Sequence, residues 1–241
     1  VKKTGSLPAT IGIINGKIKV GVNNNDIQIL AKSNNILKVS KHNLAIAINK
    51  KINAATTVAS TIYIASKIGI KFFATGGIGG VHLESEKTFD ISTDLTELTK
   101  TRMNVICSGA KTILDINKTY EILETSGIPR IGYKSEKMPG FWYHQTNRQL
   151  DYNFKNLNDL VQYLKDFEKI ADSFGGTESV LIFNPLPKNK SLKKELVNKW
   201  IKNSIKKAKK NSIEGRDLTP YLINEVNLLS KNKTLKATME L

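Results

Sequence analysis

The sequence predicts a layered α/β fold. Short, nearly all-apolar runs at Ile70 to Ala74, Met103 to Cys107, Ile128 to Tyr133 and Val180 to Phe183 read as strands buried on both faces. Amphipathic segments of helical length stand between them. A glycine-rich turn, Thr75-Gly76-Gly77-Ile78-Gly79-Gly80, follows the first of these strands directly. Helix, strand, glycine loop, strand, helix, strand is the order of an α/β layer architecture.

The elements follow from local chemistry. Ile11 to Val20 is a hairpin, because Asn15-Gly16 supplies a tight turn between IGII and KIKV. Asn34 to Val39 leads into Ser40, a turn or cap. Asn53 through Lys67 reads as a helix, with Ala55, Val58, Ala59, Ile62, Ala65 and Ile68 on its apolar face and Gly69 as its stop. Ile116 to Thr125 is a helix ended by Ser126-Gly127. Leu157 to Ala171 is another, with Leu160, Val161, Leu164, Phe167 and Ile170 on one side. Lys134 to Asn156 is polar and turn-rich, yet holds Phe141, Trp142 and Tyr143, which either cover a pocket or pack. Val180 to Phe183 ends in the rigid loop NPLP, where open α/β sheets place ligands.

Composition narrows the class. The chain has 241 residues, 40% of them hydrophobic and 24% charged, which suits a single folded domain over 1–241 and argues against disorder. Apolar stretches break well before the roughly 20 residues that span a bilayer. The opening VKKTGSLPAT lacks the apolar core of a signal peptide. Cys107 is the only cysteine, so no internal disulfide forms; it reads as a small buried strand-end residue rather than a nucleophile. The net charge of +16 raises the question of nucleic acid or membrane. Ten of the lysines lie in Lys188 to Lys210, where Leu192, Leu196, Val197, Trp200, Ile201 and Ile205 recur at helical spacing. A solvated basic helix is the expectation, and neither nucleic acid nor membrane is expected as partner.

The chemistry concentrates between Phe72 and Leu123. The glycine turn matches neither the dinucleotide fingerprint nor a P-loop. Its backbone amides can still form a nest for phosphate oxygens, with His82 two residues on as a donor to phosphate or sugar hydroxyl. Asp90, Ser92 and Asp94 alternate. If extended, they share one face while Ile91 points into the core. If Ser92 instead caps a helix, Asp94 lies in its first turn. The oxygens suit Mg²⁺ or Mn²⁺ in one reading and helix capping in the other. Lys111 stands among Gly109, Ala110, Thr112, Ile113 and Leu114. Desolvation there lowers its pKa and frees an amine for attack on a carbonyl or anomeric carbon. The alternative is a salt bridge to Asp115, one helical turn on.

These residues sit in longer ordered segments: GSLPATIGIINGKIKVGV, LKVSKHNL, AATTVASTIYIASKIGIKFFATGGIGGVH, DISTDLTEL, CSGAKTILDINKTYEILETSGIP, NPLP and GRDLTPYLI. Together they resemble the pseudouridine-5'-phosphate glycosidase family, which includes the indigoidine synthase A-like proteins. The resemblance implies a three-layer α/β/α fold and a cytoplasmic, trimeric lyase of pseudouridine and nucleotide catabolism. Such an enzyme reversibly splits the C–C glycosidic bond of pseudouridine 5'-phosphate into uracil and ribose 5-phosphate. It also implies Mn²⁺ or another divalent cation. By matching motif, Lys111 is the amine that attacks C1' and forms a Schiff-base-type adduct, and Asp90 is the metal ligand. Ser92, Thr93 and Asp94 contact substrate, as do Lys38 and the backbone at Val58, while Thr75 and His82 line the phosphate or ribose pocket. The family pattern also has a general-acid glutamate upstream of GSLPAT, a further asparagine-containing segment after LTPYL, and arginine where Leu83 stands. The expectation is therefore a chain short of the family pattern at both ends. An impaired homologue that still binds a sugar phosphate, or has a structural role, is the alternative.

Overall fold

A computed structural model describes residues 4–33 and 35–241; Asn34, where the run into the third strand was expected to begin, lies outside them. Strands β1 (Ile11–Ile14) and β2 (Lys17–Val20) form the expected hairpin. Asn15 (φ 51°) and Gly16 (φ 72°) both take the left-handed conformation that a two-residue hairpin turn requires. Helix α1 (Asn24–Lys32) starts at a capping box between Asn23 and Asp26. Strand β3 (Leu37–Val39) runs into a 3-10 turn, Lys41–Asn43, and α2 (Leu44–Asn49) follows.

The helix expected from Asn53 is shorter. Ala54–Thr56 forms strand β4, and helix α3 (Val58–Lys67) begins only after the Thr57 cap. The first sheet therefore has the order β2-β1-β4-β3, with β1 antiparallel to both neighbours and β3 parallel to β4. Its small apolar alanines fitted a helical face as well as a strand, and pairing with β1 and β3 decided the matter.

Beyond this sheet come β5 (Phe72–Ala74), α4 (Ser85–Thr88), α5 (Thr93–Lys100), β6 (Asn104–Cys107), α6 (Ile116–Thr125), β7 (Arg130–Tyr133), β8 (Tyr152–Phe154), α7 (Leu157–Phe174) and β9 (Val180–Phe183). The five strands form one parallel sheet of order β5-β6-β9-β7-β8. Both of its faces are covered, as side-chain alternation along the central strands shows. Val105, Cys107, Leu181 and Phe183 join the larger core with α3, α5, α6 and the C-terminal helices. Val180, Ile182 and Ile131, with Ile106 packed beside them, meet Leu160, Leu164 and Phe167 of α7 in a second, smaller core. The result is the expected α/β/α layering.

Two local expectations are corrected, and one open alternative is decided. Strand β5 is not buried on both faces: it is the sheet's edge, and Phe72 is 56% exposed. Helix α7 continues three residues past Ala171 to Gly175 at φ 80°, and its Val161 and Ile170 are exposed rather than packed. The aromatic loop packs instead of covering a pocket. Phe141, Trp142 and Tyr143 are buried, and Trp142 Nε1 donates to Thr238 Oγ1 at 2.9 Å.

Helix α8 (Lys194–Lys210) buries Val197, Ile201, Ser204 and Ala208 while its lysines, apart from half-buried Lys194, are exposed. It packs with α9 (Leu218–Leu229), and α10 (Lys233–Met239) ends the chain. Among the described residues no helix is long and apolar enough to cross a membrane.

Phe183 is fully buried where the central strand meets the larger core. Phe183→Ala should cost about 3–5 kcal/mol in urea denaturation. Phe174→Ala, at a side chain 87% exposed, should stay within about 0.5 kcal/mol. Equal effects would contradict this placement of the core.

Candidate functional site

A cavity of about 740 Å³ opens between the two sheets. The first sheet contributes Lys38 of β3 and the end of β4, and α3 contributes its first residue, Val58. The parallel sheet contributes the loops after β5 and β6. Those loops are held by hydrogen bonds that prolong the β5–β6 pairing beyond the strands. Ser108 N donates to Gly76 O, Ile78 N to Gly109 O at 3.1 Å and Lys111 N to Ile78 O at 3.1 Å. This ladder delivers Lys111 to the cavity from the carboxyl edge of the sheet, where parallel sheets place ligands.

Asp94 organises the centre. Ser92 caps α5 and accepts from Asp94 N at 3.2 Å. The buried Asp94 carboxylate then takes two backbone amides, Ala59 N on Oδ1 and Gly79 N on Oδ2, each at 2.8 Å. A Cβ at Gly79 would collide with Ser92 Oγ and Asp94 Oδ2, so this close approach requires glycine. The capping alternative thus holds at Ser92. Ile91 bridges Val81 in antiparallel fashion, but it is 42% exposed and does not enter the core. Thr93 Oγ1 meets Ser40 Oγ at 2.7 Å across the cavity wall.

Lys111 is not in a helix and does not pair with Asp115. That carboxylate caps α6, accepting from Lys118 N at 3.0 Å, with Lys118 Nζ at 3.7 Å. Lys111 takes part in none of the ion pairs among the described residues. Burial lowers its pKa; the charge of Asp94 partly opposes that shift, and the nearby Lys38 adds to it. His82 is buried, with Nε2 3.1 Å from Thr219 Oγ1 and Nδ1 3.8 Å from Asp90 Oδ2. Burial pushes its pKa below 6.5, Asp90 opposes the shift, and Lys38 and Lys111 reinforce it. Cys107 is buried at the end of β6, its thiol pushed up to about 12 by desolvation, which leaves it inert as a nucleophile.

Of the residues singled out in the sequence, Lys38, Val58, His82, Asp90, Ser92, Thr93, Asp94 and Lys111 all line this cavity. Thr75 does not. It sits at the base of the ladder, its amide bonded to Ile106 O at 3.0 Å. Ser40, Asn43, Asp217 and Thr219 also line the cavity and were not singled out. Asp217 and Thr219 fall in GRDLTPYLI, and its place among the segments that resemble the family was the available signal. Leu83, where the family pattern has arginine, is 39% exposed.

For a divalent cation the donor set is thin. Among the described residues no group of three or more His, Cys, Asp or Glu side chains could hold an ion. Both oxygens of Asp94 already accept amides. Asp90, 30% exposed at its side chain, and the Ser92 hydroxyl fit only an ion that keeps most of its water.

The fold and cavity define an α/β domain with a desolvated lysine at the carboxyl edge of its parallel sheet. The chain belongs to the indigoidine synthase A-like family, whose model matches residues 1–241. It is 44% identical over its full length to the pseudouridine-5'-phosphate glycosidase of Petrotoga mobilis, covering 78% of that protein. It is 42% identical to that of Brachyspira hyodysenteriae, covering 77%. Among solved structures it resembles the prealnumycin C-glycosynthase AlnA in complex with ribulose 5-phosphate. The TM-score is 0.89 and the identity 33%, over 99% of this chain and 78% of that one. An indigoidine synthase A-like protein of Thermotoga maritima gives a TM-score of 0.86 at 28% identity, over 96% and 75%.

Because the folded-state pKa of Lys111 lies below the ordinary 10.5, its charged form costs stability at low pH. That cost fades as pH rises toward 10.5. Lys111→Met should therefore melt higher than wild type at pH 7, with the gap narrowing in melts taken at rising pH. Losing that charge should also move the His82 NMR titration upward toward 6.5. A destabilised variant with an unmoved His82 would refute this electrostatic account.

Proposed function

We propose that the chain is a pseudouridine-5'-phosphate glycosidase, cleaving pseudouridine 5'-phosphate reversibly to uracil and ribose 5-phosphate with Lys111 as nucleophile. The observation that carries this is Lys111 itself, half-buried at the cavity, in no ion pair among the described residues, and lowered in pKa. The names of the relatives and the C-glycosynthase neighbour support a C–C glycosidic substrate.

A C–C bond has no leaving oxygen for an acid to protonate, so a carboxylate pair alone suits it poorly. In the proposed route the neutral Lys111 amine attacks C1', and the ring oxygen leaves with a proton. The nitrogen lone pair then forms C=N⁺ as the C1'–C5 electron pair passes to uracil, whose C5 takes a proton. Water adds to the iminium and returns ribose 5-phosphate and the free amine. Lys38, with the amino-terminal ends of α3 and α5, would hold the phosphate. His82, neutral at pH 7 and fixed by Thr219, would hydrogen-bond a sugar hydroxyl. Ser92 and Thr93 are the proposed substrate contacts, and Asp94 acts by setting the two amide-bearing segments. Asp90 would hold a hydrated Mn²⁺, which supplies positive charge beside the phosphorylated substrate. We assign Thr75 a supporting place behind the pocket.

Borohydride added with ribose 5-phosphate should trap an adduct on Lys111, and Lys111→Ala should abolish it. Lys38→Ala should instead weaken ribose 5-phosphate binding by about tenfold or more, the worth of a charge-assisted contact. With uracil and Mn²⁺ present, pseudouridine 5'-phosphate should form. Ribose 5-phosphate bound with neither adduct nor product would favour a binding protein instead.

We further propose a cytoplasmic homotrimer, as the family resemblance implies. Light scattering should then give about three times the 26.8 kDa of one chain, and a monomer at micromolar concentration would reject it.

A further inference from the structure

A second cavity, of about 430 Å³, lies at the other end of the same helix pair. The amino ends of α3 and α5 face the first cavity through Val58 and Thr93. Their carboxyl ends face the second through Lys67 and Lys100. At 1.5 Å per residue, α3 separates the two by about 15 Å. The 3-10 turn Lys41–Asn43 serves both: Lys41 lines the second cavity, His42 and Asn43 the first.

The second cavity is cationic and only partly neutralised. Lys41, Lys67, Lys71, Lys100 and Arg102 line it, with Glu168 as the one carboxylate. Lys41 pairs with Glu97 at 3.2 Å, Lys71 with Glu168, and Arg102 with Asp172. Lys67 and Lys100 enter no ion pair among the described residues. Helix C-termini attract cations, and roughly −0.5 charge at each of α3 and α5 offsets about one of these two. That explains why lysines close the helices. It leaves a surplus of about one positive charge, and it does not explain three further cations drawn from other segments. The floor is apolar: Met103 and Val180 are buried, and Ile70, Leu164 and Phe167 surround them. The volume suits a metabolite rather than a lone ion.

We propose that this cavity is a second ligand site for a nucleoside monophosphate. The phosphate, carrying about −1.5 to −2 at pH 7, would meet Lys67 and Lys100. Paired lysines keep spare N–H donors for its other oxygens, and the base would lie on the apolar floor.

The test is calorimetric titration with adenosine 5'-monophosphate, with inorganic phosphate in parallel. It is run on the chain carrying Lys111→Ala, so that the lysine chemistry proposed above plays no part. Binding of AMP should weaken at least about tenfold in Lys67→Glu/Lys100→Glu and be unchanged by Lys38→Ala, which strips the first cavity. Inorganic phosphate should bind more weakly than AMP. Lys67→Gln/Lys100→Gln is the fallback if charge reversal disturbs the thermal melt. The proposal is overturned if AMP fails to bind at millimolar concentration. It is equally overturned if the loss follows Lys38 rather than the lysine pair, or if inorganic phosphate binds as tightly as AMP.

Discussion

The geometry of the site depends on one buried carboxylate. Asp94 accepts the Ala59 amide from the start of α3, which follows the first sheet, and the Gly79 amide from the loop after β5 of the second. It thereby fastens the two sheets at the line where the larger cavity opens. Charge-assisted bonds of this kind are roughly twice as strong as neutral ones. They also satisfy amides that helix and loop would otherwise leave orphaned. The bond to Gly79 is possible only because no Cβ intervenes, so the glycine loop and the aspartate are a single device.

That arrangement also accounts for the electrostatics around Lys111. Asp94 is the charge that opposes its pKa shift, yet the aspartate is committed to two amides and forms no ion pair with the lysine among the described residues. Burial therefore outweighs attraction, and Lys38 adds a second cation to the same space. His82 is shifted down by burial first and then by Lys38 and Lys111, against the pull of Asp90. The amino ends of α3 and α5 contribute further positive potential. An amine in this setting sheds its proton more readily than an ordinary lysine.

How far the sequence revealed this depends on how local each cause is. The hairpin was legible because Asn15-Gly16 decides it alone, and the end of α6 because Ser126-Gly127 marks it. The Ser92 cap was legible as one of two options. The start of α3 was not, since Ala54 and Ala55 suit helix and strand alike until β1 and β3 pair with them. Burial of β5 was misread because an apolar run carries no sign of being at an edge. The exposure of Ile91 depended on its bridge to Val81. Within the site, Lys111 stood out by its small neighbours. The use of Asp94, by contrast, required knowing that residues 59 and 79 converge. The contact between His82 and Thr219 spans 137 positions, and no local pattern announces it.

The basic excess shows the same separation of local from global causes. The lysines of α8 look from composition like a nucleic-acid surface, but two of them have specific partners. Lys207 pairs with Glu225 of α9, and Lys209 reaches Glu84 beside the His82 loop. Such exposed, solvent-screened pairs contribute little, and the helix is held by Val197, Ile201 and Ala208 underneath. Charge on this face therefore keeps the helix solvated. Lys111 differs from these solvated lysines: it is half-buried at the cavity, and burial lowers its pKa.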